Sequence, residues 1–82
     1  MAKTFHLTIA KVGENLYDGE ALSVSAPGSE GVFQVLADHE AFVSELRPGT
    51  VSVVSENGEH LSFPIPLKGI AEVSRNQATI LL

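Results

Sequence analysis

Residues 49–65 read "GTVSVVSENGEHLSFPI". Val51 and Val53 flank Ser52, so apolar and polar side chains fall on opposite faces of an extended chain, the pattern of a half-buried strand. Asn57-Gly58 then predicts a tight hairpin turn, with the positive φ angles that such turns demand. The return segment sets Leu61, Phe63 and Ile65 on one face, again at a period of two. This stretch reads as a β-hairpin with one wet face, and no helical period competes with it.

The same alternation runs outward in both directions. In "FHLTIAKV" (5–12), Phe5, Leu7 and Ile9 share a face opposite His6, Thr8 and Ala10. "ENL" after Gly13 reads as a turn. "LSVSA" (22–26) puts Leu22, Val24 and Ala26 on one side and Ser23 and Ser25 on the other. "PGSEG" (27–31) breaks the chain, and "VFQVL" (32–36) is short and apolar enough for a buried strand. "DHEAFVSEL" (38–46) is read as a loop followed by a strand, because nine residues make a marginal helix; a helical turn capped by Asp38, with Phe42 and Leu46 four apart, is the alternative. "KGIAEVSRNQATILL" (68–82) is a last hairpin turning near Arg75-Asn76. Pro64 and Pro66 lack the N–H on the same side of one strand, which predicts an edge strand or a bulge there. Short strands separated by Gly, Pro and Asn turns predict an all-β chain, folded as a flattened β-sandwich of about 8–10 mostly antiparallel strands.

A chain of 82 residues is one domain, 1–82. At this size roughly 60% of the unfolded chain's surface is buried on folding, so the stability margin is thin. The absence of cysteine removes a disulfide framework, a thiolate metal site and a cysteine nucleophile together. No apolar run reaches the length that spans a bilayer, and the N-terminal residues lack a signal-peptide core, so a soluble, cytoplasmic protein is expected. Ten acidic against five basic residues give a net charge of −5. The five bases do not cluster, which argues against nucleic acid and against an anionic membrane surface.

Residues of catalytic type are present without catalytic grouping. Asp38, His39, Glu40 and Ser44 hold acid, base and hydroxyl functions. Adjacent residues of an extended chain point to opposite sides, so no nucleophile, base and orienting group line up among them. A small hydrolase using His39 with Asp38 or Glu40 is the weakest reading. The three histidines, His6, His39 and His60, are too dispersed for a zinc site, and His6 and His60 read as exposed side chains. "PGSEG" lacks the Lys-Ser/Thr of a phosphate loop, and Glu30 would repel an anion. It leaves Ser29 and Glu30 at a loop tip, a position that often serves recognition. No metal, nucleotide or cofactor site is expected.

Taken in order, "FHLTIAKVGENLYDGEALSVSAPGSEG" (5–31), His39, "LRPGTVSV" (46–53) and "GIAEVSRNQATIL" (69–81) resemble the N-terminal β-sandwich domain of the ATP synthase epsilon subunit. The resemblance implies a flattened sandwich of about ten strands and no substrate. It implies docking on the gamma subunit of the central stalk and on the polar loops of the membrane-embedded c-ring, with rotation alongside both. It places the loop Gly28, Ser29, Glu30, Gly31 and Val32 by the c-ring, and Lys11, His39 and Ser44 toward gamma. It also implies a peripheral subunit on the cytoplasmic side of a bacterial membrane.

This chain departs from the family pattern at several points. Val32 stands where a polar or acidic residue is usual. "LADHEA" (36–41) replaces "L-P-G-H-A-P", and "PLKG" (66–69) replaces a segment with "S-G-G". The family continues into a C-terminal helical hairpin that carries inhibition of ATP hydrolysis, whereas this sequence stops at Leu82. The chain as given is expected neither to inhibit by inserting helices nor to bind nucleotide. The leading expectation is a non-catalytic rotor component that couples ion-driven rotation to ATP synthesis. The alternative is a stand-alone protein-binding module that shares the fold.

Overall fold

The computed structural model describes residues 3–82, so Met1 and Ala2 of the expected 1–82 domain lie outside it. Eight strands follow one another: β1 (Phe5–Lys11), β2 (Glu14–Gly28), β3 (Gly31–Val35), β4 (Phe42–Leu46), β5 (Gly49–Ser55), β6 (His60–Ile65), β7 (Gly69–Ser74) and β8 (Gln77–Leu81). No helix is present among the described residues. All pairings are antiparallel except that of β1 with β8. The expectation of an all-β sandwich of eight or more strands is met.

β2 organises the molecule. Its first half pairs with β1, and its second half pairs with β3 and with β5. Its last residue, Gly28, bridges to Leu46 of β4. From β1 the sheet continues through β8 and β7 to β4, so strands β2, β1, β8, β7 and β4 close into a ring. β5 and β6 extend from β2 as a flap. The result is flattened, with extents of 36 × 24 × 19 Å.

The alternating residues supply one continuous core. Phe5, Leu7 and Ile9 of β1, Val51 and Val53 of β5, Ala71 and Val73 of β7, and Ala78 and Ile80 of β8 are all buried. Burying each larger side chain stabilises the fold by about 1.5–3 kcal/mol. The period-two reading of 5–9 and 49–55 is therefore correct in both strand placement and facing, and that of 69–81 in strand placement.

Four local expectations fail, each for a physical reason. Glu14–Leu16 belong to β2 and pair with β1, so the turn is confined to Val12-Gly13, where Gly13 has φ 80. At Leu22 a bulge sets two residues of β2 against one of β5. This breaks the alternation, leaving Leu22 half-buried and Ser23 buried. β3 is a strand but not a buried one: it pairs only with β2, and of its residues only Val35 is in the core. Finally, Asn57 does not adopt positive φ. The β5–β6 connection is a longer loop in which Gly58 alone does so (φ 86) and the Gly58 N–H donates to the Ser55 carbonyl. This geometry is a turn followed by a left-handed residue rather than a two-residue hairpin.

Of the two prolines read onto one edge strand, Pro64 lies in β6, whereas Pro66 falls in the bend just past its end at Ile65. β6 lies at the end of the strand order, with β5 as its one neighbour. The Ser55 N–H donates to the Glu59 carbonyl. Counting from that bonded pair, Pro64 opposite Thr50 turns its nitrogen away from β5, toward the free edge.

Candidate functional site

Gly28 sits at the junction of three strands. The Ser29 N–H donates to the Glu45 carbonyl and the Arg47 N–H donates to the Pro27 carbonyl, locking the end of β2 against β4. A Cβ at position 28 would meet the Gly31 carbonyl at 2.8 Å, and Phe33 and the Ser44 hydroxyl at 3.0 Å each. Only glycine lets the β2–β3 turn and β4 approach this closely. Beyond the junction the turn and β4 diverge and leave an open depression of about 560 Å³, lined by Ser29–Phe33 on one side and Phe42–Glu45 on the other.

The inner wall of this end is aromatic. The Phe33 and Phe42 rings meet edge to face at 5.0 Å, and the His39 ring lies 5.1 Å from Phe42. His39 is half-buried, and its Nδ1 lies 2.7 Å from the Glu40 carbonyl. The outer wall carries Val32, 78% exposed, and Val43, 63% exposed. Exposed aliphatic side chains paired across one depression are the composition of a contact surface rather than of a solvated strand. The Glu30 and Glu45 side chains bring negative charge to the same depression, and no cation lines it.

The loop bearing His39 is pinned from the N-terminal segment. Lys3 Nζ donates to Asp38 Oδ2 at 2.8 Å. This hydrogen bond, with the ammonium charge behind it, holds the Asp38 carboxyl below its usual range and raises the Lys3 amine. Asp38 has φ 63, a left-handed conformation. No hydrogen bond links His39 to the Asp38 carboxylate, which is committed to Lys3. The Ser44 hydroxyl donates to the Glu45 carbonyl. The hydrolase grouping therefore does not form.

The structure brings Gly28–Val32, Ser44 and His39 onto one end of the sandwich. Lys11 is elsewhere, in a second groove of about 460 Å³ with Val12, Leu16, Phe63, Pro64, Pro66 and Leu82. The sequence reading did not assign Phe33, Phe42, Val43 or Glu45 to this surface. The edge-to-face pair depends on β3 and β4 meeting across Gly28, which no local pattern encodes.

A second cluster also escaped the sequence reading, which took His6 for a plain exposed residue. Its Nε2 lies 2.7 Å from Asp18 Oδ1 and its Nδ1 3.3 Å from Glu20 Oε2. The Asp18 hydrogen bond is the main cause that raises the His6 pKa, with Glu20 adding to it against partial desolvation. Glu20 also accepts from the Thr4 hydroxyl at 2.7 Å, and its backbone carbonyl accepts from the Tyr17 hydroxyl.

Residues 4–82 match the model of the ATP synthase delta/epsilon chain, beta-sandwich domain. The ATP synthase epsilon chain 1 of Methylococcus capsulatus is 42% identical over 81 residues, which cover 99% of this chain and 57% of that one. The ATP synthase epsilon chain of Protochlamydia amoebophila is 35% identical over 77 residues, 94% of this chain and 52% of that one. This chain thus spans a little over half the length of these relatives. Among solved structures, a chain of the Euglena gracilis mitochondrial ATP synthase, determined with OSCP, F1 and the c-ring, superposes with a TM-score of 0.87 at 28% identity, over 95% of this chain and 49% of that chain. A chain of the Tetrahymena thermophila mitochondrial ATP synthase central stalk and c-ring shares the fold, with a TM-score of 0.75 at 14% identity, over 96% of this chain and 63% of that one. With its closed, flattened sheet and a family match running from residue 4 to 82, the chain belongs to the ATP synthase delta/epsilon family, as its β-sandwich domain.

Proposed function

We propose that this domain is a non-catalytic rotor component of an F-type ATP synthase, docking on the gamma subunit and the c-ring and turning with them. Family membership across residues 4–82 is the observation that carries this reading. The central-stalk and c-ring settings of its structural neighbours support it. In this reading Gly28, Ser29, Glu30, Gly31 and Val32 meet the c-ring, and His39 and Ser44 meet gamma beside them, because both sets share one end of the sandwich. Lys11 meets gamma from the separate groove. In this reading the domain is a peripheral subunit on the cytoplasmic side of a bacterial membrane.

The work required of such a part is mechanical, and the closed ring of strands suits it. A contact burying ~1,600 Å² in total would hold the assembly. Val32 adds an apolar side chain to the ring-side loop beside the Glu30 carboxylate, and added salt weakens only the charged part of that contact. The test is co-purification of the domain with the cognate gamma subunit and c-ring. Association at micromolar concentration is expected. No association with either partner would overturn the reading in favour of an independent binding module.

A further inference from the structure

β4 has one unused backbone edge. It pairs with β7 along its length, but with β2 only at Gly28–Leu46. The Glu45 carbonyl points to the β2 side, since it accepts from Ser29. In a strand, residues two apart direct their backbone groups to the same neighbour. The Glu45 N–H and both backbone groups of Val43 therefore face that side too, where β2 has already turned away into Ser29–Glu30. These groups open into the 560 Å³ depression. The opposite treatment is seen at β6, where Pro64 turns its nitrogen to the free edge. The β4 edge carries no proline and no lysine to block pairing.

We propose that the free edge of β4 is a strand-addition site, which takes an extended, cationic segment of a partner protein antiparallel to β4 and in line with β2 beyond Gly28. The partner's backbone pairs with Val43 and with the Glu45 N–H. Alternate apolar side chains of the segment cover Val32 and Phe42, and its basic side chains meet Glu30 and Glu45. A second copy of this chain is a poor occupant. Its own β4 brings another Glu45, flanked by Glu40, against the same carboxylates. The inference deepens the proposed rotor reading and rests on it for the source of the segment, since Glu30, Val32 and Ser44 line the same depression. The peptide experiment below tests the edge itself, and co-purification tests the rotor reading separately.

The test uses ¹⁵N-labelled protein and the synthetic peptide acetyl-Arg-Val-Thr-Val-Arg-amide at millimolar concentration. The Val43 and Glu45 amide signals should move and their hydrogen exchange should slow. The same peptide with alternate backbone nitrogens methylated should have no such effect, and glutamate-flanked peptide should bind roughly tenfold more weakly or worse. Val43→Pro deletes the N–H on the free side and spares the β7 ladder, so it should abolish the response. No movement of these two amides, or equal movement with the methylated peptide, would overturn the proposal. Concentration-dependent movement without peptide would also overturn it, by making a second copy the occupant. If Val43→Pro does not fold, the methylated peptide decides alone.

Discussion

His6 Nε2 lies 2.7 Å from Asp18 Oδ1 across the β1–β2 pair, and the other nitrogen of the same ring faces Glu20. The folded-state pKa of His6 is raised from its ordinary value of 6.5. A histidine whose pKa rises on folding contributes stability that is full below its unfolded pKa and is lost as pH rises through the folded one. The Tm of the parent should therefore exceed that of His6→Gln most clearly in mildly acidic buffer, and the gap should close above the folded pKa. A gap independent of pH, measured by thermal melts across the range, would remove the ionic account of this cluster.

The Lys3–Asp38 pair has the opposite sign. Its hydrogen bond and charge hold the Asp38 pKa below its ordinary 3.8. The contribution is present above the unfolded pKa and fades as pH falls through the folded one. Both side chains are exposed, so added salt should also weaken it. NMR titration of the Asp38 carboxyl should show the lowered midpoint, and Lys3→Met should return it toward 3.8.

Asp38 also tests backbone strain. At φ 63, glycine, asparagine and aspartate are tolerated and β-branched residues are not. Asp38→Gly should keep the fold and its Tm, trading the ion pair for relief of strain. Asp38→Val should lower Tm and loosen the His39–Phe42 contact, seen as a change in the His39 ring signals. Equal Tm for the two variants would show that this φ carries no cost.

Gly28 is the junction residue, so Gly28→Ala should perturb both stability and the depression. The added methyl meets the Gly31 carbonyl at 2.8 Å, a backbone atom that cannot rotate aside. A loss of about 1–3 kcal/mol in denaturant unfolding is expected. By comparison, Leu7→Ala empties a fully buried site and should cost about 2–5 kcal/mol without altering signals from Ser29–Phe33. A Gly28→Ala variant as stable as its parent would mean that β2 and β4 can separate freely at this point.

What could be read from the sequence was whatever repeats along one strand. Phe5, Leu7 and Ile9, or Val51 and Val53, declare their face through their spacing alone. Pro64 and Pro66 declare an edge because a missing donor is a local fact. The bulge at Leu22 could not be read, because it exists only relative to Val54 on another strand. The exposure of β3 was hidden for the same reason: "VFQVL" is apolar enough for a core, and only the strand order reveals that one side has no neighbour. The site divides in the same way. Ser29-Glu30 was visible as a loop tip, while the Phe33–Phe42 contact and the approach of Gly28 to Ser44 depend on separate strands converging.

Pro64 gives the last test, of why this sheet does not add strands at random. Its nitrogen faces the open side of β6, opposite the bonds to β5. Pro64→Thr restores a donor there and costs β5 nothing, so stability should change by less than about 1 kcal/mol. The edge then offers consecutive N–H groups from Ser62 and Thr at 64, a template for pairing with a second molecule. Sedimentation at matched concentrations should show more self-association in the variant than in the parent, and Pro66→Thr added to it should increase this further. If the double variant sediments like the parent, the prolines do not guard this edge, and the exposed Val12 and Leu67 near it would have to be its protection or its partner site instead.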